Sequence, residues 1–431
     1  NGYIITYAGY PGETAEIACG KEITDWQPYK DGIYKAKIDT PPSPVCILNE
    51  NGEFGIKARY PNLGEKNPYY YEMRIDHPEQ DSAYKFYYKD SDNIPYMNDI
   101  SSLQCTFFAA GYTSQLINCS INYREKSITL ANKAGAYSPV AEDRYFLQGS
   151  LELLDSPGEF YYDKNDRTVY YMPRNKDINN SVITYGTGMH ILNFAGTEEK
   201  PVKNMMFKDI IFGACNMTET FDENYRQGVV HADHADNITF ENNEVRGGGG
   251  TGFYILNPSN FKIVGNYIHD VAANGIAIMA DELYGVQKKY VNNVISNNYI
   301  YNVGVVRRSS SAIAMGNVDN SSITYNRIDK SPRAGITLGN SVAINHNFGK
   351  IINGVTITED NSYDYMNGSG NYVAFNDISN CLEDTQDGGP VYLWGTGKGN
   401  VVENNHIHDS QSLYGASYAL YGDDSSGYTT W

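Results

Sequence analysis

The chain has 431 residues, with 33 Lys and Arg against 51 Asp and Glu and a formal charge of −18. That excess of negative charge argues against a nucleic-acid backbone as partner. Charged residues make up only 19%, while 38 Tyr and 41 Gly stand where helix-rich proteins carry Lys, Glu, Ala and Leu, so helical bundles and coiled coils are excluded. No run of 18 apolar residues occurs, and a membrane-spanning helix is not expected.

The first residues, Asn1-Gly2-Tyr3, form no cationic and apolar leader, so a signal peptide is expected to be absent or already removed. Six cysteines (19, 46, 105, 119, 215 and 381) show no CxxC spacing, and buried free thiols are expected rather than a zinc ribbon or a disulfide framework. Cys105 and Cys119 form the one pair close enough in sequence to suggest a bridge.

In chain order, Tyr3 to Tyr7 and Ala15 to Ala18 flank Pro11-Gly12-Glu13 and read as strand, turn, strand. Residues 60–145 are rich in Tyr, Asp and Asn and lack any period; they are expected to be a β-rich insertion packed on the first coils of residues 1–200. Phe160-Tyr161-Tyr162, the turn 163–166 and Val169-Tyr170-Tyr171 predict a hairpin.

Residues 201–431 carry a repeat. Asn-x-Ile/Val recurs at Asn243, Asn266, Asn298, Asn326, Asn376 and Asn405, with spacings of 23, 32, 28, 50 and 29 residues. The gap of 50 reads as two periods, with a degraded copy between Ile344 and Phe348. Each unit reads strand, turn, strand, Gly-rich turn, and short β-runs at this period fit a solenoid. The expected fold is therefore all-β, a right-handed parallel β-helix with inward Ile and Val columns and asparagines stacked in hydrogen-bonded ladders. Loops at 213–236, 280–290, 306–312, 355–370 and 409–419 are candidates to build a groove on one face. The terminal coils read as uncapped, so a further domain or chain is expected to cover them.

No dinucleotide fingerprint, Walker loop, HExxH or GxSxG is present. Carboxylates and aromatics remain, densest from Leu382 to Gly395 and again from Tyr418 to Asp424. Aligning Val391-Tyr392-Leu393 with Leu420-Tyr421-Gly422 makes the two stretches neighbours on adjacent coils. Acids from both then face one groove, as glycoside hydrolysis requires: one carboxylic acid protonates the leaving oxygen, one carboxylate attacks or activates water. Asp387 is the first choice, because Gly388 and Gly389 allow a close approach to the backbone. Tyr392, Trp394 and Tyr421 offer flat faces for sugar rings. His231 and His234, in His-Ala-Asp-His-Ala-Asp, are assigned to groove lining, and Asp424 to substrate contact. Arg307, Arg308 and Arg333 read as surface charge, or as the base of a lyase. No metal ligands and no cofactor are assigned, and calcium at turn acids is left open.

Several stretches carry a resemblance: Tyr10-Pro-Gly-Glu13, Ile23-Thr-Asp-Trp26, Gly32 to Ala36, Leu153-Leu-Asp-Ser-Pro-Gly-Glu-Phe-Tyr-Tyr-Asp163, Tyr170-Tyr-Met-Pro173, and Asp387-Gly-Gly with Tyr421-Gly-Asp-Asp424. Together they resemble bacterial β-helix glycoside hydrolases, most of all the lacto-N-biosidases of family 136, with family 141 close behind. The first resemblance implies release of Galβ1-3GlcNAc from the non-reducing end of oligosaccharides, with retention, by two aspartates close in sequence; Asp377 with Asp384, or Asp384 with Asp387, fit that spacing. Family 141, which includes fucosidase and xylanase activities, implies acids from adjacent coils, Asp387 with Asp423 or Asp424. The expected function is a secreted or cell-surface glycosidase acting on an oligosaccharide, with Asp377, Asp384, Asp387 and Asp423 as candidate catalytic acids. A polysaccharide lyase and a non-catalytic glycan-binding solenoid are the rival readings.

Overall fold

In the computed structural model, the described residues are 2–39, 44–64, 72–133, 137–221, 226–280, 290–339, 348–412, 415 and 417–431. Short strands separated by Asn and Gly turns cannot bury a face alone, and here they stack into three sheets of eight parallel strands. The first sheet runs from Ile5–Ala8 through Ala235–Glu241 to Val401–Glu403, and the second from Ala15–Ala18 through Glu244–Gly248 to His406–His408. The third runs from Leu192–Ala195 through Thr251–Leu256 to Leu420–Gly422. This is the parallel β-helix that the repeat predicts.

Each coil has three strands, not the two read from the Asn-x-Ile pattern, because the third strand (Ile276–Met279, for instance) carries no repeated asparagine. Inward side chains form columns: Val245, Ile268, Ile300, Ile328 and Ile378 are register partners down the second sheet and are all fully buried. Each such aliphatic side chain contributes roughly 1.5–3 kcal/mol.

The repeated asparagines form the predicted ladder. The side-chain oxygen of Asn298 accepts from the backbone N–H and the Nδ2 of Asn266 (2.9 and 3.0 Å), and Asn298 Nδ2 donates to the Ile263 carbonyl and to Asn326 Oδ1, each at 2.9 Å. The pattern runs unbroken from Asn243 to Asn405. Asn298→Ala leaves these buried partners unsatisfied and is expected to cost about 3 kcal/mol, read as a lowered denaturant midpoint; a loss under about 1 kcal/mol would show the ladder to be energetically idle.

The ladder also corrects one expectation. Asn326 N–H donates directly to Asn376 Oδ1 at 3.0 Å, and Arg327–Ser331 pairs with Asp377–Cys381. The 50-residue gap is therefore one coil with a long excursion, not two coils. Of the expected degraded copy, residues 344–347 lie outside the described residues; beyond Phe348 the excursion forms a short antiparallel pair, Ile351–Ile352 with Val355–Thr356.

After Ala15–Ala18 the chain leaves the solenoid and returns at Leu192–Ala195. Between them lie sheets of seven, five and four strands, antiparallel except where Ile56–Lys57 pairs in parallel with Glu159–Asp163. The predicted hairpin is there, Glu159–Asp163 against Thr168–Tyr171. These three sheets take strands from Gly20–Glu22 to Ile183–Gly186, on both sides of the 60–145 stretch. Their alternation is the same as that of solenoid strands, so sequence alone does not separate them. Phe86, Phe107 and Tyr145 fill the core of the seven-stranded sheet. All six cysteines are free thiols, Cys105 and Cys119 included. Among the described residues no helix is long and apolar enough to cross a membrane.

Candidate active site

The insertion docks on the loops that join the second sheet to the third, and this contact shapes the site. Loop 382–390 is tied to the preceding coil by Leu382 N–H to the Arg333 carbonyl (2.9 Å) and by Asp384 N–H and Thr385 Oγ1 to the Pro332 carbonyl (both 3.2 Å). It is tied to the insertion by Gln386 N–H to the Gly111 carbonyl at 3.0 Å. Beneath it, Asp384 is wholly buried: Oδ1 meets Arg144 Nη1 and Oδ2 meets Arg308 Nε, both at 2.7 Å, and Arg144 Nη2 donates to the Asp384 carbonyl at 2.6 Å. Arg144 also pairs with Glu72 at 3.2 Å, and burial pushes the Glu72 carboxyl up to about 7. Arg308, read as surface charge, is thus a core cation.

Asp387 sits at the exposed end of this loop with φ 56°, a left-handed conformation that Asp tolerates better than most residues. The glycines after it answer a steric need: a Cβ at Gly389 would lie 2.4 Å from the Tyr418 carbonyl oxygen. Asp387 Oδ1 accepts from Tyr421 Oη at 3.1 Å; among the described residues nothing donates to its other oxygen. One coil register fixes the rest. Val391, Tyr392 and Leu393 pair with Leu420, Tyr421 and Gly422, the alignment read from the sequence. Val391 and Leu393 point into the core, while Tyr392 and Trp394 face out.

Tyr392 Oη donates to Asp423 Oδ2 at 2.6 Å, and its ring lies 5.5 Å from that of Tyr421. Asp387 and Asp423 are thus joined through a pair of packed phenols, each donating to one carboxylate. Burial, followed by the bond to Asp387, pushes the Tyr421 phenol up to about 12, and burial raises Tyr392 further. Both stay neutral donors at any working pH. The other Asp423 oxygen accepts the Asp424 N–H at 2.8 Å, whereas the exposed Asp424 carboxylate accepts nothing from the described residues.

Two further groups close the cluster. The Arg333 guanidinium lies over the Tyr392 ring at 5.2 Å and the Tyr112 ring at 5.8 Å, and donates to the Tyr112 carbonyl at 3.1 Å. A cleft of about 310 Å³ opens between Ala110, Tyr112, Gln386, Asp387 and Gly415. Burial, and the bond with Tyr137, push the Tyr112 phenol up to about 12. Tyr112 was not legible beforehand, since it comes from the insertion, more than 200 residues from its partner Arg333.

The remaining candidates lie elsewhere. Asp377 is on the outer face of the second sheet, where it meets His406 and His408. His231 and Tyr392 share one outward column of the third sheet but are five strands apart, roughly 24 Å at 4.8 Å per strand. His231 stacks on Tyr254, and burial and His190 lower its pKa. His234 turns a corner at φ 50° and pairs with Asp233 at 2.6 Å. The strand Gly228–Asp233 also occupies part of what the sequence offered as loop 213–236.

Comparison with known proteins bears on the fold and on the insertion. The family described as "Right handed beta helix region" matches residues 160–311, and the "GH141 insertion domain" matches residues 134–174. A solved structure described as "Glycoside hydrolase" is 17% identical and has a TM-score of 0.75, with 97% of this chain and 76% of that one covered. A structure of XylC with xylose is 13% identical with a TM-score of 0.42, covering 94% of this chain and 60% of that one. No curated protein matches. The chain folds as a right-handed parallel β-helix with a segment similar to the glycoside hydrolase family 141 insertion domain, and this likeness, with the cleft that Asp387 lines, supports a glycosidase.

Proposed function

We propose that the chain hydrolyses glycosidic bonds at the Asp387 cleft with a pair of carboxylates, and that it releases Galβ1-3GlcNAc from the non-reducing end of β-linked oligosaccharides with retention. The observation that carries the reading is Asp387 itself, an exposed carboxylate that lines a cleft and is held at one oxygen by Tyr421. Asp423 and Asp424, one coil on, are the pool from which its partner acid is drawn. In a retaining reaction one acid attacks the anomeric carbon while the other protonates the leaving oxygen, then deprotonates the water that releases the sugar. Tyr392, Tyr421 and Tyr112 provide ring faces and neutral donors, and the Arg333 cation stabilises negative charge nearby. A cleft of about 310 Å³ lies at the small end of ligand pockets, which favours a short saccharide over a polymer threaded through it.

The disaccharide assignment rests on resemblance to family 136. The similarity to the family 141 insertion domain favours a second reading, a fucose- or xylan-directed glycosidase acting through the same acids. Incubation with lacto-N-tetraose and chromatography of the products separates them: lacto-N-biose and lactose in equal amounts are expected. No cleavage by the folded protein would move the assignment to the second reading. We also place the enzyme outside the cell or on its surface, where such oligosaccharides are met. Exposed Ile5, Tyr7 and Ile17 on the first coil favour an additional domain or chain covering that end.

A further inference from the structure

The last two coils carry a second constellation, separate from the Asp387 cleft. Asp377 opens the strand Asp377–Cys381, and His406–His408 is the strand that pairs with it in the next coil. Register places Asp377 beside His406, and Ser379 beside His408. Alternation turns Ile407 toward the core and leaves both imidazoles on the outer face. Their rings stack 4.4 Å apart. His406 Nδ1 and His408 Nε2 converge on a single oxygen, Asp377 Oδ1, at 2.9 and 3.1 Å, and the three donor atoms lie within 4.8 Å of one another.

The other nitrogen of His408 is already engaged, with Nδ1 2.7 Å from Asp409 Oδ2. A carboxylate behind an imidazole is how metal-binding histidines are oriented: it takes the N–H and leaves the far nitrogen's lone pair directed at the ion. The chain supplies an internal comparison. Asn266-Tyr-Ile-His-Asp270 has the same form as Asn405-His-Ile-His-Asp409, and His269 likewise lies between a carboxylate of the preceding coil, Glu244 at 3.3 Å, and the following Asp270 at 2.7 Å. In that copy the place of His406 is taken by Tyr267, whose ring stacks on His269. A histidine between two acids therefore belongs to the coil geometry, and the second imidazole is what the last coil adds.

Two imidazoles and one carboxylate suit a tetrahedral cation of the zinc class with water as fourth ligand; calcium, which takes six to eight oxygens, does not fit. Ligand bonds of about 2.0–2.2 Å in a tetrahedron set the donors roughly 3.3–3.5 Å apart, so the two distances from imidazole to carboxylate need to open by only a few tenths of an ångström. We propose that Asp377, His406 and His408 bind one divalent transition-metal ion that clips the final coil to the one before it. Among the described residues His406–His408 pairs on one side only, and a bond across that pair holds the two strands together.

The test is calorimetric titration of the tag-free full chain with zinc chloride, with thermal melts before and after EDTA. One site of micromolar or tighter affinity is expected, with a higher melting temperature when loaded. His406→Tyr, which installs the residue of the earlier repeat, is expected to weaken binding at least tenfold, and His408→Gln to do the same if that variant misfolds. The six free thiols are the competing ligands, and cobalt(II) distinguishes them: tetrahedral nitrogen and oxygen ligation gives visible bands without thiolate charge transfer. No binding by the parent chain, unchanged affinity in both variants, or a thiolate band would each overturn the proposal.

Discussion

Asp387→Asn is expected to lower turnover by about 10³-fold while leaving the unfolding midpoint within about 0.5 kcal/mol of the parent. The loss of turnover is a matter of chemistry: an amide neither exchanges a proton with a glycosidic oxygen nor attacks an anomeric carbon. The unchanged stability is a matter of surroundings. Asp387 is exposed and its hydrogen-bond partner among the described residues is Tyr421. Its left-handed backbone suits Asn as well as Asp, and an amide oxygen still accepts from the phenol. Steady-state kinetics with a denaturant melt of the same preparation checks both. Turnover within tenfold of the parent would remove Asp387 from the reaction.

Asp384→Asn, three residues away, is expected to do the reverse, costing about 3–5 kcal/mol of stability. Its carboxylate neutralises two buried guanidinium groups, Arg144 of the insertion and Arg308 of the solenoid, and contacts both at 2.7 Å. Loss of that charge leaves two buried cations facing Glu72, whose carboxyl burial already pushes up to about 7. Loop 382–390 is held by the same contact, so activity is expected to fall as well, but together with the melting temperature. Kinetics and unfolding thus distinguish the two aspartates. A loss under about 1 kcal/mol for Asp384→Asn would show that the network is no anchor between insertion and solenoid.

These residues also show how far the sequence was legible. A repeated Asn marks the second strand of each coil because its side chain must both accept from one coil and donate to another, and the spacing survives insertions elsewhere. The Tyr392 and Tyr421 register was legible for a related reason, since Val391-Tyr392-Leu393 and Leu420-Tyr421-Gly422 carry a tyrosine after an aliphatic residue at the same positions. Contacts between distant segments escaped. Arg144 meets Asp384 across 240 residues, so Asp384 read as one more acid in a dense cluster, although its two arginines give it a structural role. Tyr112 escaped because no period governs the insertion. His231 and His234 had a suggestive pattern, but which coil they occupy depends on counting strands, and the third strand of each coil carries no sequence mark. Asp377 shares its strand with Ile378 of the core column, yet its outward partners belong to the next coil.

A two-carboxylate reaction centred on Asp387 is tested most directly by a proton NMR time course of lacto-N-tetraose hydrolysis by the parent chain and by Asp387→Asn. The anomeric signal of the released disaccharide is expected to appear first in the β form and then to mutarotate, with no signal from the variant over the same period. A first-formed α anomer, or a variant that matches the parent, would contradict retention with Asp387 as one of the two acids.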